Sequence, residues 1–293
     1  MSNAPSPPPA GATPPAAPTH QKREIRLTSH SMLFYWWPIW ILGFVLAIWT
    51  LKEDNRIAIL PPDTTALKVR DTENSTFFEI RVNKGKETTS LTEAVAKSKE
   101  GPDVSSRAFP TRVSHQPWMG PVFCVVLLLT VVITNVPLRG LWSFLVLLLF
   151  LVIALLISLI PEGWDKLLRA VGDLHIYINM AGYLFIATVV FILWAVSVFI
   201  FDQRTYIIIT PGQIRVCEHV GASIRTFDTT GLSFEKQRDD LFRHWLLGFF
   251  SGDLIVKTSG AERETIRLPN VLWIGWRLEE AQKLLSEKTI VAG

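Results

Sequence analysis

Residues 141–160 read LWSFLVLLLFLVIALLISLI, twenty consecutive residues without a charged side chain. About 20 helical residues, each rising roughly 1.5 Å, cross a hydrocarbon core about 30 Å thick. The stretch therefore predicts a transmembrane helix. A chain that contains it does not fold around one water-soluble core.

Three other stretches of the chain are also long, apolar and free of charged residues. The four predicted spans are residues 32–51, 119–136, 141–160 and 178–201. Tryptophan and tyrosine cluster at the ends of the first span, as is typical of helices that end in the membrane interface. Only Pro137-Leu138-Arg139-Gly140 separates the second span from the third, so these two are expected to form an antiparallel hairpin. The sequence thus predicts an α-helical transmembrane bundle of four spans.

The segments outside the spans differ in composition. Residues 1–31 begin with a Pro/Ala-rich stretch and are predicted to be a disordered cytoplasmic tail. Residues 52–118 are predicted to be a partly ordered extracytoplasmic loop, with strand-like runs at 56–60 and 77–82 and a short helix opened by Ser90-Leu91-Thr92-Glu93. Residues 161–177 have apolar side chains at helical spacing. They are interpreted as an amphipathic connector lying in the interface or, equally, as an ordinary packed connector.

Basic residues decide the predicted orientation. Four spans place both ends of the chain on one side, and the positive-inside rule favours the cytoplasm for the side that carries Lys22, Arg23, Arg26, Arg139 and Arg204. Lys166 and Arg169 in the other short connection oppose this assignment. The prediction is a multi-pass protein of the plasma (bacterial inner) membrane with cytoplasmic N- and C-termini.

Beyond residue 201 the pattern changes to short β-type runs. Strands are expected at 205–210, 214–220, 223–227, 231–234, 253–258 and 264–268. A closing helix is expected because Leu278, Ala281, Leu284 and Leu285 recur at helical spacing. Residues 202–290 are thus predicted to form an all-β barrel or sandwich capped by one helix.

Three stretches carry a resemblance to a known family: YIIITPGQIRV at 206–216, RDDLFRHWLLG at 238–248 and GDLIVKTSG at 252–260. They resemble the bacterial pleckstrin-homology-like (PH-like) domains of multi-pass membrane proteins. The resemblance covers a third of the chain and implies a cytoplasmic binding or assembly module of two packed sheets. Phosphoinositide binding is not carried over, since the first hairpin turn, Thr210-Pro211-Gly212-Gln213, lacks the basic residues of PH domains that bind these lipids.

The most distinctive candidate site lies at residues 235–250. If this stretch is helical, its apolar side chains form one stripe, which either packs on the rest of the protein or contacts the membrane or a partner. In the second interpretation, the arginines meet phosphates or acidic groups. The candidate contact residues are Arg238, Phe242, Arg243, Trp245, Leu246, Phe249 and Phe250.

Motifs for catalysis, cofactors or metals are not found. The six histidines are scattered, and Cys217-Glu218-His219 would alternate faces in a strand and could not converge on one ion. Residues 202–293 carry 12 basic and 12 acidic residues, so nucleic acid is not an expected partner. The spans lack the ionisable side chains typical of proton-coupled transporters.

The sequence therefore predicts a non-enzymatic scaffold, adaptor or envelope-associated regulator. Its expected partners are the lipid bilayer and proteins, and a homo-oligomer is possible. One alternative is a subunit of a membrane transport or secretion complex. A second is a lipid-acting enzyme at the membrane interface that uses Asp165, Asp173 and His175 of the outer connector.

Overall fold

The fold is that of a computed structural model. It describes residues 24–72, 75–83, 109–136, 140–217, 224–229, 231–238, 240–258 and 264–291. The predicted helix after Ser90, most of the predicted tail, the hairpin connection at 137–139 and the Glu218-His219 pair lie outside these ranges.

The apolar stretches form helices close to their predicted bounds. The helices are α1 (Trp37–Glu53), preceded by a 3-10 turn Met32–Trp36, α2 (Met119–Asn135), α3 (Leu141–Leu159), α4 (Gly163–Gly172) and α5 (Met180–Val196), which a π-helical turn Ser197–Phe201 extends. Within the described ranges, three helical segments are long and apolar enough to cross a membrane: Met32–Glu53, Leu141–Leu159 and Met180–Arg204. The chain is therefore treated as a membrane protein. Helix α2 is equally apolar but has 17 residues.

Helices α1, α2 and α5 form the packed part of the bundle. A Cβ placed on Gly43 of α1 would lie only 2.8 Å from the Cβ of Ala187 in α5. Such small residues let helix backbones approach closely, which is how apolar helices gain contact where lipid offers no hydrophobic driving force. Phe123 of α2 and Tyr183 of α5 fill the space beside this contact with their rings 5.3 Å apart. By contrast, α3 leaves most of its large apolar side chains exposed.

The loop between α1 and α2 contains a two-stranded antiparallel sheet of β2 (Thr65–Thr72) and β3 (Ser75–Arg81). The second strand overlaps the predicted run at 77–82. The run predicted at 56–60 is not a strand; Arg56 makes only an isolated bridge to Arg112. The two hydrogen bonds of this bridge are made by the neighbours of Arg56: the Ile57 N–H donates to the Thr111 carbonyl oxygen, and the Val113 N–H donates to the Asn55 carbonyl oxygen.

The C-terminal region is rich in β-structure, but within the described ranges it does not close into a barrel. Its strands are β4 (Tyr206–Thr210), β5 (Gln213–Cys217), β6 (Arg225–Asp228), β7 (Ser233–Gln237), β8 (Gly252–Lys257) and β9 (Thr265–Val271). Together with β1 (Ile25–Thr28), they form two separate antiparallel sheets, with the orders β1-β4-β5-β6 and β7-β8-β9. The barrel form of the prediction is thus corrected to two sheets.

The first strand of the larger sheet, β1 (Ile25–Thr28), comes from ahead of the first helix. It pairs with β4, with Leu27 opposite Ile207. The prediction of a disordered tail reaching residue 31 is wrong for this segment. Its four residues gain order from a partner about 180 positions away, and a local pattern does not reveal such a partner.

Both sheets and the last helix, α6 (Ile274–Val291), share one core. Apolar side chains alternate inward along β4, β5 and β8, and Ile274, Leu278 and Ala281 of α6 are buried against them. We call this unit, β1 and β4–β9 with α6, the β domain.

Candidate functional site

A short π-helical turn, Phe242–Leu247, connects the two parts of the molecule. We call it the junction turn. It lies between β7 and β8, and its buried Phe242 and Leu247 pack with Phe34, Ile133 and Val198 of the bundle. The candidate segment thus sits where the β domain meets the helix ends.

Two hydrogen bonds fix the junction turn to the helices. The Leu241 backbone N–H donates to Ser143 Oγ at the start of α3 (3.1 Å), and Trp37 Nε1 of α1 donates to the Leu247 carbonyl oxygen (2.9 Å). Each bond joins a side chain at a helix end to the backbone of the turn. The β domain is therefore attached to the bundle by its own fold as well as by the chain connection.

The predicted apolar stripe is divided between two environments. Phe242 is buried in the junction, whereas Trp245, Leu246, Phe249 and Phe250 are exposed, Trp245 by 56%. The stripe is interrupted because the turn is π-helical, so that Phe242 and Leu247, five residues apart, share its buried side. The chain then leaves the turn at Gly248, before Phe249 and Phe250. The packing interpretation therefore fits Phe242, and contact with the membrane or a partner stays a prediction for the exposed side chains.

Four exposed rings, which we call the aromatic patch, make two separate sets of contacts: Trp245, Phe250 and Trp273 form one set, and Phe249 belongs to the other. Phe250 lies 6.4 Å from Trp245 and 6.2 Å from Trp273, measured between ring centroids. Phe249 lies 5.5 Å from Trp37, so the patch continues onto the first residue of α1.

Phe249 and Phe250 both have left-handed backbones, with φ of 48° and 62°. Bulky residues rarely adopt this conformation, which costs of order 1–3 kcal/mol when the surroundings impose it. The fold thus holds two phenylalanines in a strained turn that leaves their rings outside.

Behind the patch lies a buried polar network of Tyr35, Arg243, His244, Ser251, Asp253 and Asn270. Arg243, only 5% exposed, donates from Nη2 to Asp253 Oδ2 (2.9 Å) and approaches His244 Nε2 (3.1 Å). This placement does not fit the predicted contact between Arg243 and phosphates, because its charge is turned inward and paired.

The donors in this network follow one direction. An arginine can only donate, so His244 Nε2 is assigned as the acceptor and Nδ1 as the N–H that donates to Ser251 Oγ (3.1 Å). The Tyr35 hydroxyl gives its proton to Asn270 Oδ1 (2.8 Å), so Ser251 donates to the Tyr35 oxygen (3.0 Å). The chain of bonds runs from the β domain to the helix end.

Ser251, His244 and Asp253 are the residue types of a hydrolase triad, but they are not arranged to act as one. A general base must be able to accept the serine proton, and His244 Nδ1 already carries a proton directed at Ser251. Ser251 is 0% exposed, and the carboxylate of Asp253 lies 3.8 Å from His244 Nε2, too far for a hydrogen bond. The set is structural.

A second polar contact joins the segment before α1 to the end of the last span. Asp202 Oδ2 lies 3.1 Å from His30 Nδ1, and Asp202 Oδ1 accepts from the Ser31 N–H (3.0 Å). The Asn270 amide donates to the His30 carbonyl oxygen (2.8 Å), which connects this contact to the polar network.

The remaining predicted residue, Arg238, donates from Nη2 to the Phe250 carbonyl oxygen (3.1 Å) and supports the strained turn. Sequence reasoning missed Tyr35, Asp253 and Asn270, which complete the network. Tyr35 was interpreted as an interfacial aromatic, and no local pattern marks a residue whose partners lie more than 200 positions away. Among the described residues, no group of three or more His, Cys, Asp and Glu side chains suits a metal ion.

No protein-family model, curated protein or solved structure matches this chain.

Proposed function

We propose that the protein is a non-enzymatic adaptor or scaffold that holds the β domain in a fixed position at the cytoplasmic face of a plasma (bacterial inner) membrane. The observation that carries this proposal is the double attachment of the domain. Strand β1 enters the larger sheet from ahead of the first span, and the junction turn packs among the helix ends. A domain held in this way presents its surface at a fixed distance from the membrane and in a fixed orientation.

The pairing of β1 with β4 supports four spans. Strand β1 precedes the first span and β4 follows the last one, so both ends of the helical region lie on one side. That arrangement requires an even number of crossings. Three helices are long enough, and α2, whose 17 residues span about 26 Å, is the fourth.

The resemblance to PH-like domains is part of the proposal. The resemblance implies two packed antiparallel sheets capped by the last helix, and the β domain has sheets of four and three strands that share one core with α6. We infer a binding or assembly role for the domain from this architecture.

The aromatic patch is proposed to enter the cytoplasmic leaflet. It continues from Trp37 at the start of α1, and amphipathic aromatic rings prefer the interfacial region of a bilayer. The strained turn at Phe249 and Phe250 favours a role that needs the rings outside. Helix α4, with Trp164, Leu167 and Leu168 exposed, is proposed to lie in the opposite interface.

Spin labels on the full chain in bilayers test this placement. With Cys124 and Cys217 replaced by serine, single cysteines at 245 and 249 carry the label. The control is Gln213, which is exposed and lies just after the turn that follows β4. This turn is at the end of β4 that is farther from the last span. We expect labels at 245 and 249 to collide with oxygen more than with a water-soluble nickel complex, and the label at 213 to do the reverse. Equal nickel access at all three positions would contradict the placement.

A second candidate function is a subunit of a membrane transport or secretion complex. The exposed apolar side chains of α3 favour it, since they can pack on partner helices as well as on lipid. Affinity purification of the full chain in mild detergent, with a photo-crosslinker at Leu149 or at Gln213, separates the candidates. A recurring partner captured from 149 supports the subunit, and one captured from 213 supports the adaptor.

The lipid-acting enzyme gains no support from its candidate residues. The ring of His175 contacts the backbone carbonyl oxygen of Asp173 instead of its carboxylate, and Asp165 lies near the other end of α4. If lipid composition changed when all three residues were replaced by alanine, the enzyme would have to be reconsidered.

A further inference from the structure

A small cavity opens beside the junction, on the side where β1, β9 and α6 meet the end of the last span. Its volume is about 130 Å³, and its lining residues are Thr28, His30, Gln203, Val271, Leu272 and Arg277. About 10–15 Å³ holds one water, and pockets for drug-sized ligands measure about 300–1,000 Å³. The cavity thus suits a small polyatomic group and is too small for a nucleotide.

The chemistry of the lining selects for an anion. Both ionisable side chains in it, His30 and Arg277, are basic, and Thr28 and Gln203 add a hydroxyl and an amide. Asp202, next to Gln203 in the chain, already accepts hydrogen bonds from His30 Nδ1 and from the Ser31 N–H. The negative charge of Asp202 is therefore held by these two donors. The positive charge of Arg277 is left for a ligand.

Arg277 and its surroundings are held in place. Arg277 Nη1 donates to the Arg26 carbonyl oxygen (3.0 Å), and Arg26 Nη2 donates in turn to the Gln203 carbonyl oxygen (2.7 Å). Arg26 lies 3.9 Å above the ring of Tyr206, so its position is fixed as well. A guanidinium held at one nitrogen keeps its other donors for an oxyanion.

With the membrane placement proposed above, the cavity lies at the depth of lipid headgroups. His30 is two residues before the first span, and Gln203 is two residues after the last π-helical turn. Polar headgroups occupy the zone just outside the hydrocarbon core. From this position and the basic lining, we infer that the cavity binds a phosphate group, either of an anionic lipid headgroup or as inorganic phosphate.

Two binding measurements on the full chain test the inference and separate the two sources. In detergent, equilibrium dialysis with radiolabelled inorganic phosphate measures binding of the free ion. In nanodiscs of phosphatidylcholine with a minor fraction of phosphatidic acid, native mass spectrometry measures enrichment of the anionic lipid. Binding in one arm alone identifies the source, and binding in both makes the phosphate group itself the ligand.

Three variants make the test specific. Arg277→Gln should weaken binding about tenfold, because it removes a charge-assisted hydrogen bond. Thr28→Val keeps the shape of the side chain and should weaken it about threefold through loss of the hydroxyl. Arg204→Gln removes an exposed charge beside the cavity but outside its lining and should change binding less than about twofold.

Absence of binding in both arms would overturn the inference. So would an equal loss in Arg204→Gln and Arg277→Gln, since binding would then follow surface charge. If Arg277→Gln unfolds, Thr28→Val still decides the matter. Binding of a lipid headgroup rests on the membrane placement proposed above, whereas binding of inorganic phosphate in detergent does not. Failure of the membrane placement can therefore be distinguished from failure of the phosphate site.

Discussion

The two ends of the helix bundle both carry networks of charged and polar residues, but in different surroundings. At the β-domain end, Arg243 and Asp253 pair behind the aromatic patch, and Arg243 is almost fully buried. At the opposite end, Asp54 pairs with Arg56 and Arg112 at 2.7 Å each, and the side chain of Asp54 is 54% exposed.

The difference shows which end is built to be rigid. A buried pair that loses one partner leaves an uncompensated charge, whereas an exposed pair is replaced by water at little cost. An ion pair therefore contributes differently to stability at the two ends. The β-domain end gains a unique geometry from its network, and the opposite end gains a mostly local stabilisation of a loop.

The largest effect is expected from Arg243→Met. The substitution removes the guanidinium that donates to Asp253 Oδ2 and to His244 Nε2, and breaking a buried pair in this way costs about 4 kcal/mol of unfolding free energy. Denaturant unfolding of the full chain in detergent measures it. The matched control at the opposite end, Arg112→Met, should cost less than about 1 kcal/mol. Equal costs would remove the contrast between the two ends.

A slightly smaller effect is expected from Leu27→Ala in β1. Leu27 is 1% exposed in the core shared by both sheets, and truncating a buried leucine costs about 3 kcal/mol. The control is Leu67→Ala in β2, where the side chain is exposed and the expected change stays within about 0.5 kcal/mol. If Leu27→Ala were as mild as Leu67→Ala, β1 would not be an integral part of the domain.

Much of the fold could be predicted from local patterns. The apolar helices and most strands follow from local runs of apolar or β-branched residues. A membrane span or a half-buried strand is determined mainly by the residues within that segment. Strand β1 could not be found in this way. Ile25-Arg26-Leu27-Thr28 is too short to stand out, and only pairing with β4 makes it a strand.

The candidate site was predicted in part, for a related reason. The apolar residues of the junction turn could be located, but their division into buried Phe242 and exposed Trp245 depends on the π-helical winding of the turn. The buried role of Arg243 depends on Asp253, which is folded back from β8. An arginine beside aromatic residues in a sequence does not reveal whether its partner is a lipid or a carboxylate of the same chain.

A third prediction concerns the close approach at Gly248. A Cβ there would lie 2.6 Å from the Arg243 carbonyl oxygen and 2.7 Å from Tyr35 Cε1. Gly248→Ala therefore has to push the junction turn away from the helix, at a cost of about 2 kcal/mol. Gly275→Ala is the control, since its Cβ would meet only the flexible end of Lys236 at 3.5 Å. Unfolding in detergent compares the two, and a harmless Gly248→Ala would show that the junction has spare room.

The smallest loss of stability is expected from Asp54→Asn. The direction of this change follows from how the charge of Asp54 depends on pH. Partial desolvation opposes the charged form of Asp54, but the hydrogen bond from Arg112 and the charges of Arg56 and Arg112 outweigh it and hold the pKa of Asp54 below its ordinary value. A lowered carboxyl pKa stabilises the folded state above the unfolded pKa, about 4, and this contribution is lost as the pH falls through the folded pKa.

The variant should therefore unfold slightly earlier than the wild type at pH 7, and the difference should shrink at a strongly acidic pH, as the carboxyl of the wild type becomes protonated. Unfolding midpoints at both pH values measure the difference. Because Asp54 is exposed, the difference at pH 7 should be smaller than any of the three losses above. A loss as large as that of Arg243→Met would mean that the opposite end is also buried in the membrane, against a partner or a second copy of the chain.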